Sequence, residues 1–394
     1  MVTRCRTYRY RLYPTGRQKA LLSRLFRLQC ELYNAALEER RGAWRWERRS
    51  VGYIDQCRTL TGLREVRPDT LSFGVTVCRG TLKRLDRSFR AFYGRCGTGE
   101  APGFPRFKSV HRWDSVQYED TSGWKLKGDT RRLHLLGIGA VKVHLHRPLA
   151  GSPKAITVSS KGRHYWVCIR CVEVPAQPLP KTGREVGIDL GVVSLLATSD
   201  GDLVPGERFG RRAGDKLASA QRSLANKKRG SNRRRRQVEQ VAACHRRVAD
   251  QRRDHLHKVS RQLVNDYDLI VHEDLKITNM VRKPRPRPKE TGSFEPNGAA
   301  AKAGLDRSIH DAGWGVLLGL IAYKAEGAGR EVISVDARHT SQTCSSCGHV
   351  SAGNRLSQAV FCCQACGHAA DADVNAAVNI LRAGRARQLS AVQG

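Results

Sequence analysis

Two groups of residues in this sequence have the types and spacing to do chemistry, and the first is a set of cysteines. Near the C-terminus, two C-x-x-C pairs lie fifteen residues apart: Cys344 with Cys347, and Cys363 with Cys366. Two such turns present four thiolates to one tetrahedral zinc ion and leave no open coordination position. The spacing therefore predicts a structural zinc ribbon, with the adjacent Cys362 outside the ligand set.

Other cysteine and histidine pairs imitate metal ligands less well. Cys168 and Cys171 have the same two-residue spacing, but they lie in a predicted strand, where residues three apart point to opposite faces. No second pair lies nearby in the sequence, so small buried side chains are favoured there. His144 and His146 share one face of a predicted strand but lack a third ligand.

The second group consists of three carboxylates beside apolar segments. Asp189 ends VGID, Glu273 ends LIVHE, and Asp373 lies at the start of the helical segment in DADVNAAVNIL. A charge at the end of a buried strand is costly unless it is paired or bound to a metal. Each carboxylate also has an ordinary alternative: a turn for Asp189, a lysine partner for Glu273 and a helix cap for Asp373.

Taken together on the strands of an α/β sheet, these carboxylates resemble the cluster of the RNase H-like nucleases. Such a cluster binds two Mg²⁺ or Mn²⁺ ions about 4 Å apart, which activate a water molecule and neutralise the leaving 3′ oxygen of a phosphodiester. Hard cations prefer oxygen ligands, which explains carboxylates in place of histidine or cysteine. Acyl transfer is disfavoured because the sequence has no G-x-S-x-G segment.

The elements that would position these groups fall into two halves, and the first half mixes strands with helices. Alternating apolar residues predict a strand over 3–14 and a group of strands over 115–175. Between them, leucines and aromatic residues at helical spacing predict helices from Thr15 to about Arg41 and from about Thr70 to Tyr93. This order indicates a small barrel with a helical insertion.

The second half begins after a predicted boundary at KTGRE (181–185) and alternates strands with helices, as an α/β domain does. Its predicted elements are the two strands of EVGIDLG and VVSLLATS, a long basic helical region over 211–261, a buried strand in YDLIVHEDL, a mobile Pro- and Gly-rich loop over 281–304, a helix over 305–326, a strand over 331–335 and a last helix over 374–383.

Charge limits the classes of partner. The chain has 394 residues, with 70 Lys and Arg against 36 Asp and Glu, a net charge of +34 and a pI near 10.4. Such self-repulsion calls for a polyanionic partner, and nucleic acid is the obvious one. Between 211 and 261 there are 17 Lys or Arg against 4 Asp or Glu. The alternative is a solubilising surface from an Arg-biased genome.

Membrane and secreted classes are disfavoured. No run of about 18 apolar residues occurs, so we expect no membrane span. The N-terminal segment lacks the apolar stretch of an export signal, so a reducing, cytoplasmic setting is expected.

Motifs along nearly the whole chain carry a more specific resemblance. The sequence resembles the TnpB family, RNA-guided nucleases of small bacterial transposons that are related to the miniature type V CRISPR effectors. The coupling of T-S-Q-x-C-x-x-C-G to a D-x-N-A-A-x-N-I helix is especially specific. The motifs are YRLYPTGRQ (10–18), YNAAL (33–37), GFPRFKS (103–109), HRPL (146–149), GIDLG (187–191), HEDLKITNM (272–280), SIHDAGWG (308–315), TSQTCSSCGH (340–349) and CCQACGHAADADVNAAVNIL (362–381).

The resemblance implies an α+β multidomain fold, in which a β-barrel wedge domain with a helical recognition insert precedes an RNase H-like RuvC domain interrupted by a zinc ribbon. The expected boundaries are 1–14 and 103–180 for the wedge, 15–102 for the recognition domain, 181–336 and 369–394 for the RuvC nuclease domain, and 337–368 for the zinc ribbon that contacts target nucleic acid.

The resemblance also assigns site residues and cofactors. Asp189, Glu273 and Asp373 correspond to the catalytic acids that hold two Mg²⁺ or Mn²⁺ ions, and the four cysteines hold one structural Zn²⁺. Asp373 is preferred to Asp371 because the family's acid lies two residues before the asparagine, here Asn375. Nuclease-inactive relatives typically lose one or more acids, whereas this chain keeps all three.

The implied partners are a transposon-derived guide RNA and target DNA beside a short flanking motif, with one protein chain per ribonucleoprotein. The implied location is the bacterial cytoplasm, at the nucleoid when target is bound. Basic residues are expected to grip nucleic-acid backbone while base pairing reads sequence. The candidates are Arg106, Lys108, Lys227, Lys228, Arg229, Arg233, Arg234, Arg235 and Arg236, with a merely solvated face as the alternative for those on the basic helices.

Three rival functions stay open at this point. A miniature type V CRISPR effector has the same chemistry and differs in the origin of its guide. An RNA-guided repressor binds DNA without cutting it. A plain zinc-ribbon nucleic-acid binder takes up no specific RNA.

Overall fold

The protein is described here from a computed structural model. The structure describes residues 4–99, 101–289, 293–336 and 338–393, and the chain forms two compact units, Met1–Pro175 and Ala176–Gly394. The outer limits of the predicted domains at residues 1 and 394, the boundary at 337 and residues 290–292 of the predicted loop lie outside the described residues.

The first unit contains a seven-stranded antiparallel sheet that is nearly closed into a barrel. The sheet order is β2-β6-β7-β1-β5-β4-β3, and its two edge strands, β2 and β3, follow one another in the chain. The predicted barrel is confirmed. The strands are β1 (Arg6–Tyr13), β2 (Ser115–Tyr118), β3 (Trp124–Lys127), β4 (Arg132–Leu135), β5 (Gly139–His144), β6 (Ser152–Lys161) and β7 (His164–Val172).

Alternation along β1 shows why this barrel forms. Tyr8, Tyr10 and Leu12 are buried in the core of the first unit, while the intervening arginines point outward. Successive residues of a strand face opposite sides, so one face packs inside and the other stays basic. Because β1 pairs with both β5 and β7, the N-terminal strand lies at the centre of the sheet.

Three helices form the insertion: α1 (Gly16–Glu47), α2 (Tyr53–Val66) and α3 (Val75–Gly97). Thr15 caps α1, since its side chain accepts from the Gln18 N–H while the Gln18 side chain accepts from the Thr15 N–H. The sequence predicted α1 too short and missed α2. Helix α2 offers little periodic signal, because Gln56 and Leu60 are its main buried side chains.

The second unit is built on a five-stranded sheet of order β10-β9-β8-β11-β12. Strands β8 and β9 form an antiparallel hairpin, and β11 runs parallel to both β8 and β12. The predicted strand over 331–335 is confirmed. The strands are β8 (Glu185–Leu190), β9 (Ser194–Thr198), β10 (Leu203–Pro205), β11 (Leu269–Glu273) and β12 (Glu331–Val335).

The predicted single basic helical region is wrong in one respect, because the chain turns back within it. It comprises α4 (Phe209–Arg212), α5 (Gly214–Ala225) and α6 (Asn232–Asp266), with a turn between α5 and α6. All residues of α5 are described and none is buried, and the buried residues of α6 lie in its last third. We call residues 214–250 the basic arm. Its α6 portion extends about 27 Å at 1.5 Å per residue.

A glycine elbow interrupts the region predicted as one helix over 305–326. After the short α7 (Ile277–Met280), α8 (Ala299–Ala312) and α9 (Trp314–Ala328) meet at Gly313, which has φ +75° and ends one helix while it begins the next. The left-handed conformation favours glycine. The preceding loop is also shorter than predicted, because residues 299–304 lie in α8.

The last segment holds two short strands, β13 (Val360–Cys362) and β14 (Ala369–Asp371), which pair with each other before α10 (Ala372–Gln393). Helix α10 is longer than predicted at both ends. Among the described helices, none combines the length and apolar composition needed to cross a bilayer.

Candidate active site and metal centre

Two of the three carboxylates lie side by side because of strand register. In the parallel pair of β8 and β11, Ile188 lies opposite His272. The next residues are Asp189 and Glu273, so both carboxylates leave the same edge of the sheet. A parallel ladder keeps matched positions together along neighbouring strands.

The third carboxylate comes from α10, which packs on β8. A Cβ at Gly187 would lie 2.1 Å from the carbonyl oxygen of Ala377, so glycine is required for this close approach. Asp371 accepts hydrogen bonds from the N–H groups of Asp373 (2.9 Å) and Val374 (3.2 Å), which caps the helix. The carboxylate of Asp373 is thereby left to face the sheet.

All three carboxylates line one cavity of about 320 Å³. The structure therefore brings together three residues that lie far apart in the sequence. Further side chains of the lining include Thr340, Arg355 and Trp314, which sequence reasoning did not single out; two of them lie within quoted motifs, TSQTC and SIHDAGWG.

The pKa values of all three carboxyl groups in the cavity are raised. Burial, followed by the charges of Glu273 and Asp373, raises the pKa of Asp189 to about 7. Burial also raises the pKa of Glu273 and that of Asp373. A carboxyl that prefers its neutral form is one whose charge lacks compensation by solvent or cations. The cavity thus suits cations.

Two hydrogen-bonding partners oppose these rises in pKa. The Arg355 guanidinium lies 3.2 Å from one oxygen of Asp373 and opposes the rise of its pKa. The Thr340 hydroxyl donates a hydrogen bond to Glu273 and acts in the same direction there. Both partners come from the segment between β12 and α10, so that segment completes the site.

The four predicted cysteines form a separate cluster. Their Sγ atoms all lie within 4.8 Å of one another. The separation is 3.7 Å between Cys344 and Cys366 and 3.6 Å between Cys347 and Cys363. Zn–S bonds of about 2.3 Å in a tetrahedron place sulfur atoms about 3.8 Å apart. The cluster therefore fits a zinc ion with four protein ligands.

Backbone geometry repeats in the two cysteine turns. Gly348 and Gly367 each follow a C-x-x-C pair and adopt φ of +80° and +73°. Buried Asn354 joins the turns, because its side-chain amide donates to the carbonyl oxygen of His349 and accepts from the N–H of Gln364. The two turns therefore face each other as a zinc ribbon requires.

Within the described residues, no other group of three or more His, Cys, Asp or Glu has all its ligand atoms within 4.8 Å. Cys168 and His144 therefore belong to no such cluster. The three carboxylates also do not meet this criterion as a group.

Three family models match the chain. The OrfB_IS605 model, described as "Probable transposase", matches residues 169–283, and the Cas12f1-like TNB domain matches 314–380. A helix-turn-helix domain model of OrfB_IS605 matches residues 1–49, although the described part of that range contains β1 and the whole of α1.

Two relatives decide the assignment. "Putative RNA-guided DNA endonuclease InsQ" of Escherichia coli (strain K12) is 35% identical over 306 residues, which cover 78% of this chain and 73% of InsQ. A Streptomyces pristinaespiralis protein with the same description is 32% identical over 388 residues, covering 97% and 90%. This chain belongs to the TnpB family.

A solved structure supports the fold of this TnpB-family chain. The protein in the cryo-EM structure of a Cas12f1–sgRNA–target DNA complex matches with a TM-score of 0.57 at 14% identity, over 96% of this chain and 98% of that one. At this level of identity the likeness concerns the fold. The predicted fold class is confirmed.

Hydrogen bonds explain why the TnpB motifs T-S-Q-x-C and D-x-N-A-A-x-N occur together. Asn375 accepts from the Ser345 N–H at 2.9 Å and donates to the Thr343 carbonyl at 2.9 Å. One helical turn later, Asn379 donates to the carbonyls of Thr340 (3.0 Å) and Thr343 (2.7 Å). The first cysteine turn is thereby tied to the helix that carries Asp373.

The YNAAL and GFPRFKS motifs of the first unit are also joined. The Asn34 side chain accepts from the Lys108 N–H at 2.8 Å and donates to the Lys108 carbonyl at 2.9 Å. This pairing fixes the backbone, while the side chains of Arg106 and Lys108 stay exposed. Both predicted contact residues are thus available to a partner.

The other seven predicted contact residues lie at the tip of the basic arm. Arg234 differs from its neighbours, because its guanidinium donates to the carbonyls of Leu224 (2.9 Å) and Lys227 (3.2 Å) and so holds the turn between α5 and α6. The remaining six, of which Lys227 is partly buried and the others are exposed, are Lys227, Lys228, Arg229, Arg233, Arg235 and Arg236.

Proposed function

We propose that this protein is an RNA-guided DNA endonuclease whose cleavage centre consists of Asp189, Glu273 and Asp373. The observation that carries the proposal is the meeting of these three carboxylates, all with raised pKa, in one open cavity of about 320 Å³. The relatives named as RNA-guided DNA endonucleases support the guided function.

The three carboxylates would hold two Mg²⁺ or Mn²⁺ ions. When bound, such ions supply an activated water and neutralise the charge on the departing 3′ oxygen. Asp189 would hold a cation in its ionised form, so cation binding would displace the proton that its raised pKa favours. Thr340 fixes an oxygen of Glu273 by its hydrogen bond, which limits how the carboxylate can rotate.

Arg355 would serve the same centre. Its guanidinium lies beside Asp373 and is about 29% exposed, so it is open to an anionic partner as well. A guanidinium matches the geometry of phosphate oxygens. We infer that Arg355 helps to hold the DNA backbone at the carboxylates.

The zinc site would be structural. Four cysteines complete a tetrahedral shell, so no position is open for substrate. Zinc would hold the turns that supply Thr340 and Arg355 to the neighbouring cavity. It would therefore act on cleavage through the shape of the segment between β12 and α10.

Guidance would rest on base pairing while basic residues grip the backbone. The exposed cations of the 103–109 segment and of the basic arm are suited to phosphate and carry little sequence information. We propose the domain limits 1–14 with 103–180 (wedge), 15–102 (recognition), 181–336 with 369–394 (nuclease) and 337–368 (zinc ribbon). One chain would act per ribonucleoprotein, in the bacterial cytoplasm.

The experiment is cleavage of target DNA by the purified ribonucleoprotein with Mg²⁺. Asp189→Asn and Glu273→Gln should bind target normally and lower the cleavage rate by at least about a thousandfold. Asp274→Asn is the matched control, because the exposed carboxylate of Asp274 pairs with Lys276 and its loss should leave cleavage unchanged.

Each rival gives a different result. A wild-type ribonucleoprotein that binds target and yields no products would be a repressor. Absence of a specific co-purified RNA would indicate a plain nucleic-acid binder. A co-purified RNA with CRISPR repeat sequence, in place of transposon-end sequence, would indicate a type V effector. If the Asp189→Asn variant cleaves at the wild-type rate, the proposed cleavage centre is wrong.

A further inference from the structure

The glycine elbow between α8 and α9 carries two side chains that reach in different directions. Asp311 and Trp314 flank Gly313 within the SIHDAGWG motif. Asp311 contacts the start of the basic helices, and Trp314 contacts the loop that follows Asp189. One short segment therefore touches both the cleavage centre and the basic region.

Trp314 holds the backbone just after Asp189. The indole is 5% exposed, and its Nε1–H donates to the carbonyl oxygen of Gly191 at 3.1 Å. The Gly191 N–H donates to the Leu195 carbonyl at 3.3 Å, and a Cβ at Gly191 would lie 2.7 Å from the carbonyl of Ser194. Both polar groups of Gly191 are thus fixed, and no larger residue fits.

Asp311 fixes the other side of the elbow. Its carboxylate accepts from the N–H of Gly210 at 2.9 Å and from that of Arg211 at 3.3 Å, and it pairs with Arg252 at 2.6 Å. Its side chain is only 14% exposed, so solvent competes weakly for these bonds. Asp311 thereby joins α8 to α4 and to α6, the helix that continues the basic arm.

Close packing makes the elbow stiff. A Cβ at Gly313 would lie 3.1 Å from the Arg252 side chain and 3.2 Å from that of Leu256. A Cβ at Gly210 would lie 2.9 Å from the Asp311 carboxylate. Both glycines therefore let the elbow sit directly against its neighbours, where it has little room to shift.

We propose that Trp314 is a positioning residue for Asp189 and that Asp311 anchors the same elbow to the basic helices. The inference rests on the proposed function, since it concerns how one of the three acids is held. The elbow therefore contacts both the loop that follows Asp189 and the helices proposed to bind nucleic acid. Metal-assisted cleavage depends on ligand placement to within about 0.5 Å, so these contacts should affect the cleavage rate directly.

The first test compares two tryptophans that make the same kind of hydrogen bond. Trp314→Phe keeps a buried ring and removes the N–H donor. Trp124→Phe is the control, because the Trp124 Nε1–H donates to the Asp120 carbonyl at 2.8 Å and the ring is 6% exposed, but it lies in the first unit. Both variants should show a similar, small fall in Tm.

Only Trp314→Phe should change the cleavage centre. In the assembled ribonucleoprotein we expect a cleavage rate about tenfold lower at saturating Mg²⁺ and unchanged target affinity. Mn²⁺ binding, measured by electron paramagnetic resonance of the uncleaved complex, should weaken several-fold. Equal rates and equal Mn²⁺ affinity for Trp314→Phe and wild type would overturn the inference, as would equal changes in both variants.

The second test addresses the anchor. Asp311→Asn keeps the shape and removes the charge that Arg252 pairs with. Asp254→Asn is the control, since Asp254 forms an exposed pair with Lys258 on α6. We expect Asp311→Asn to cleave about threefold or more slowly with guide RNA still bound, and Asp254→Asn to match wild type. Equal rates for the two variants would remove Asp311 from the proposal.

These tests separate the inference from the proposed function. If Asp189→Asn is inactive while Trp314→Phe behaves as wild type in rate and Mn²⁺ affinity, the positioning role fails and the nuclease stands. If Asp189→Asn cleaves as wild type does, the proposed centre itself is wrong.

Discussion

The second unit contains two candidate metal sites built on opposite principles. The cysteine site draws its ligands from residues 344 to 366, and all four Sγ atoms lie within 4.8 Å of one another. The carboxylate site draws its ligands from residues 189 to 373 and lines an open cavity of about 320 Å³. The cysteine ligands lie close together in the sequence and form a closed shell. The carboxylate ligands lie far apart in the sequence and line an open cavity.

The difference follows from what each ion would do. A zinc ion with four thiolates has no free position, so it can only hold the chain together. Carboxylates that bind hard cations must leave room for water and substrate. Here burial, followed by the charges of Glu273 and Asp373, raises the pKa of Asp189 to about 7. On the proposed function, zinc in the closed site would stabilise the fold, whereas the carboxylates of the open site would destabilise it until cations bind.

The largest expected effect separates the two sites by metal removal. Brief treatment of the ribonucleoprotein with EDTA should abolish cleavage, because Mg²⁺ keeps much of its water and binds proteins weakly. Zinc should stay bound, since structural zinc binds with about 10–16 kcal/mol. Added Mg²⁺ should restore the full rate, with one zinc per chain measured throughout by mass spectrometry.

Two results would break that contrast. Cleavage that persists in EDTA would remove the role of the carboxylate site. Loss of zinc in parallel with loss of activity, followed by recovery only when Zn²⁺ is added, would show that the zinc is labile and that its loss accounts for the loss of cleavage.

The second effect concerns the closed site. Cys363→Ser should lower zinc content below one per chain, lower Tm and reduce cleavage, because Thr340 and Arg355 lose their support. Cys362→Ser is the adjacent control, as Cys362 lies outside the four-sulfur cluster. A normal zinc content in Cys363→Ser, measured with a chromogenic chelator, would contradict the assignment.

The third effect is a pH dependence of the open site. The folded-state pKa of Asp189 is raised from 3.8 to about 7. Protonated Asp189 therefore makes its full contribution to the free energy of unfolding below pH about 4. That contribution, up to about 4 kcal/mol, is lost as pH rises through 7. Without Mg²⁺, Asp189→Asn should gain in Tm over wild type as pH rises from 5 to 8, by calorimetry.

A matched comparison sharpens this result. Added Mg²⁺ should reduce the advantage of Asp189→Asn at pH 8, because ions compensate the carboxylate charges of the wild type. A Tm difference independent of pH would show that Asp189 does not titrate in this range.

The smallest effect concerns Thr340, which links the two sites. Thr340→Val removes the hydrogen bond to Glu273 and should raise the pKa of that carboxyl further. We expect a several-fold higher Mg²⁺ requirement for cleavage, about 1 kcal/mol for one hydrogen bond. Thr340→Ser should restore the wild-type requirement in a Mg²⁺ titration. If Thr340→Val has the wild-type Mg²⁺ requirement, Thr340 does not connect the cysteine site to the carboxylate site.

Much of the fold was predictable because its signals are local. The barrel strands, the strand over 331–335 and the cysteine spacing follow from alternation and spacing of a few residues. The turn at 226–231 and the elbow at Gly313 were missed, because a polar or glycine interruption in a helical pattern does not say whether the helix bends or ends.

Side-chain roles divided differently. The family resemblance favours Asp373 over Asp371 by its spacing from Asn375, but only the structure shows that Asp371 caps α10 while Asp373 lines the cavity. Arg234 is one of four consecutive arginines, and only the structure shows that it holds the turn of the arm. Neighbours along the chain cannot reveal contacts made across it.

The sequence by itself therefore determined which candidate metal ligands the protein possesses and which kind of ion each set would prefer, because ligand chemistry belongs to the residue and the zinc spacing is local. Tertiary structure decided that Asp189, Glu273 and Asp373 share a cavity, and that Thr340, Arg355 and Trp314 join them. Strand register and helix packing set those distances, and both depend on the whole core of the second unit.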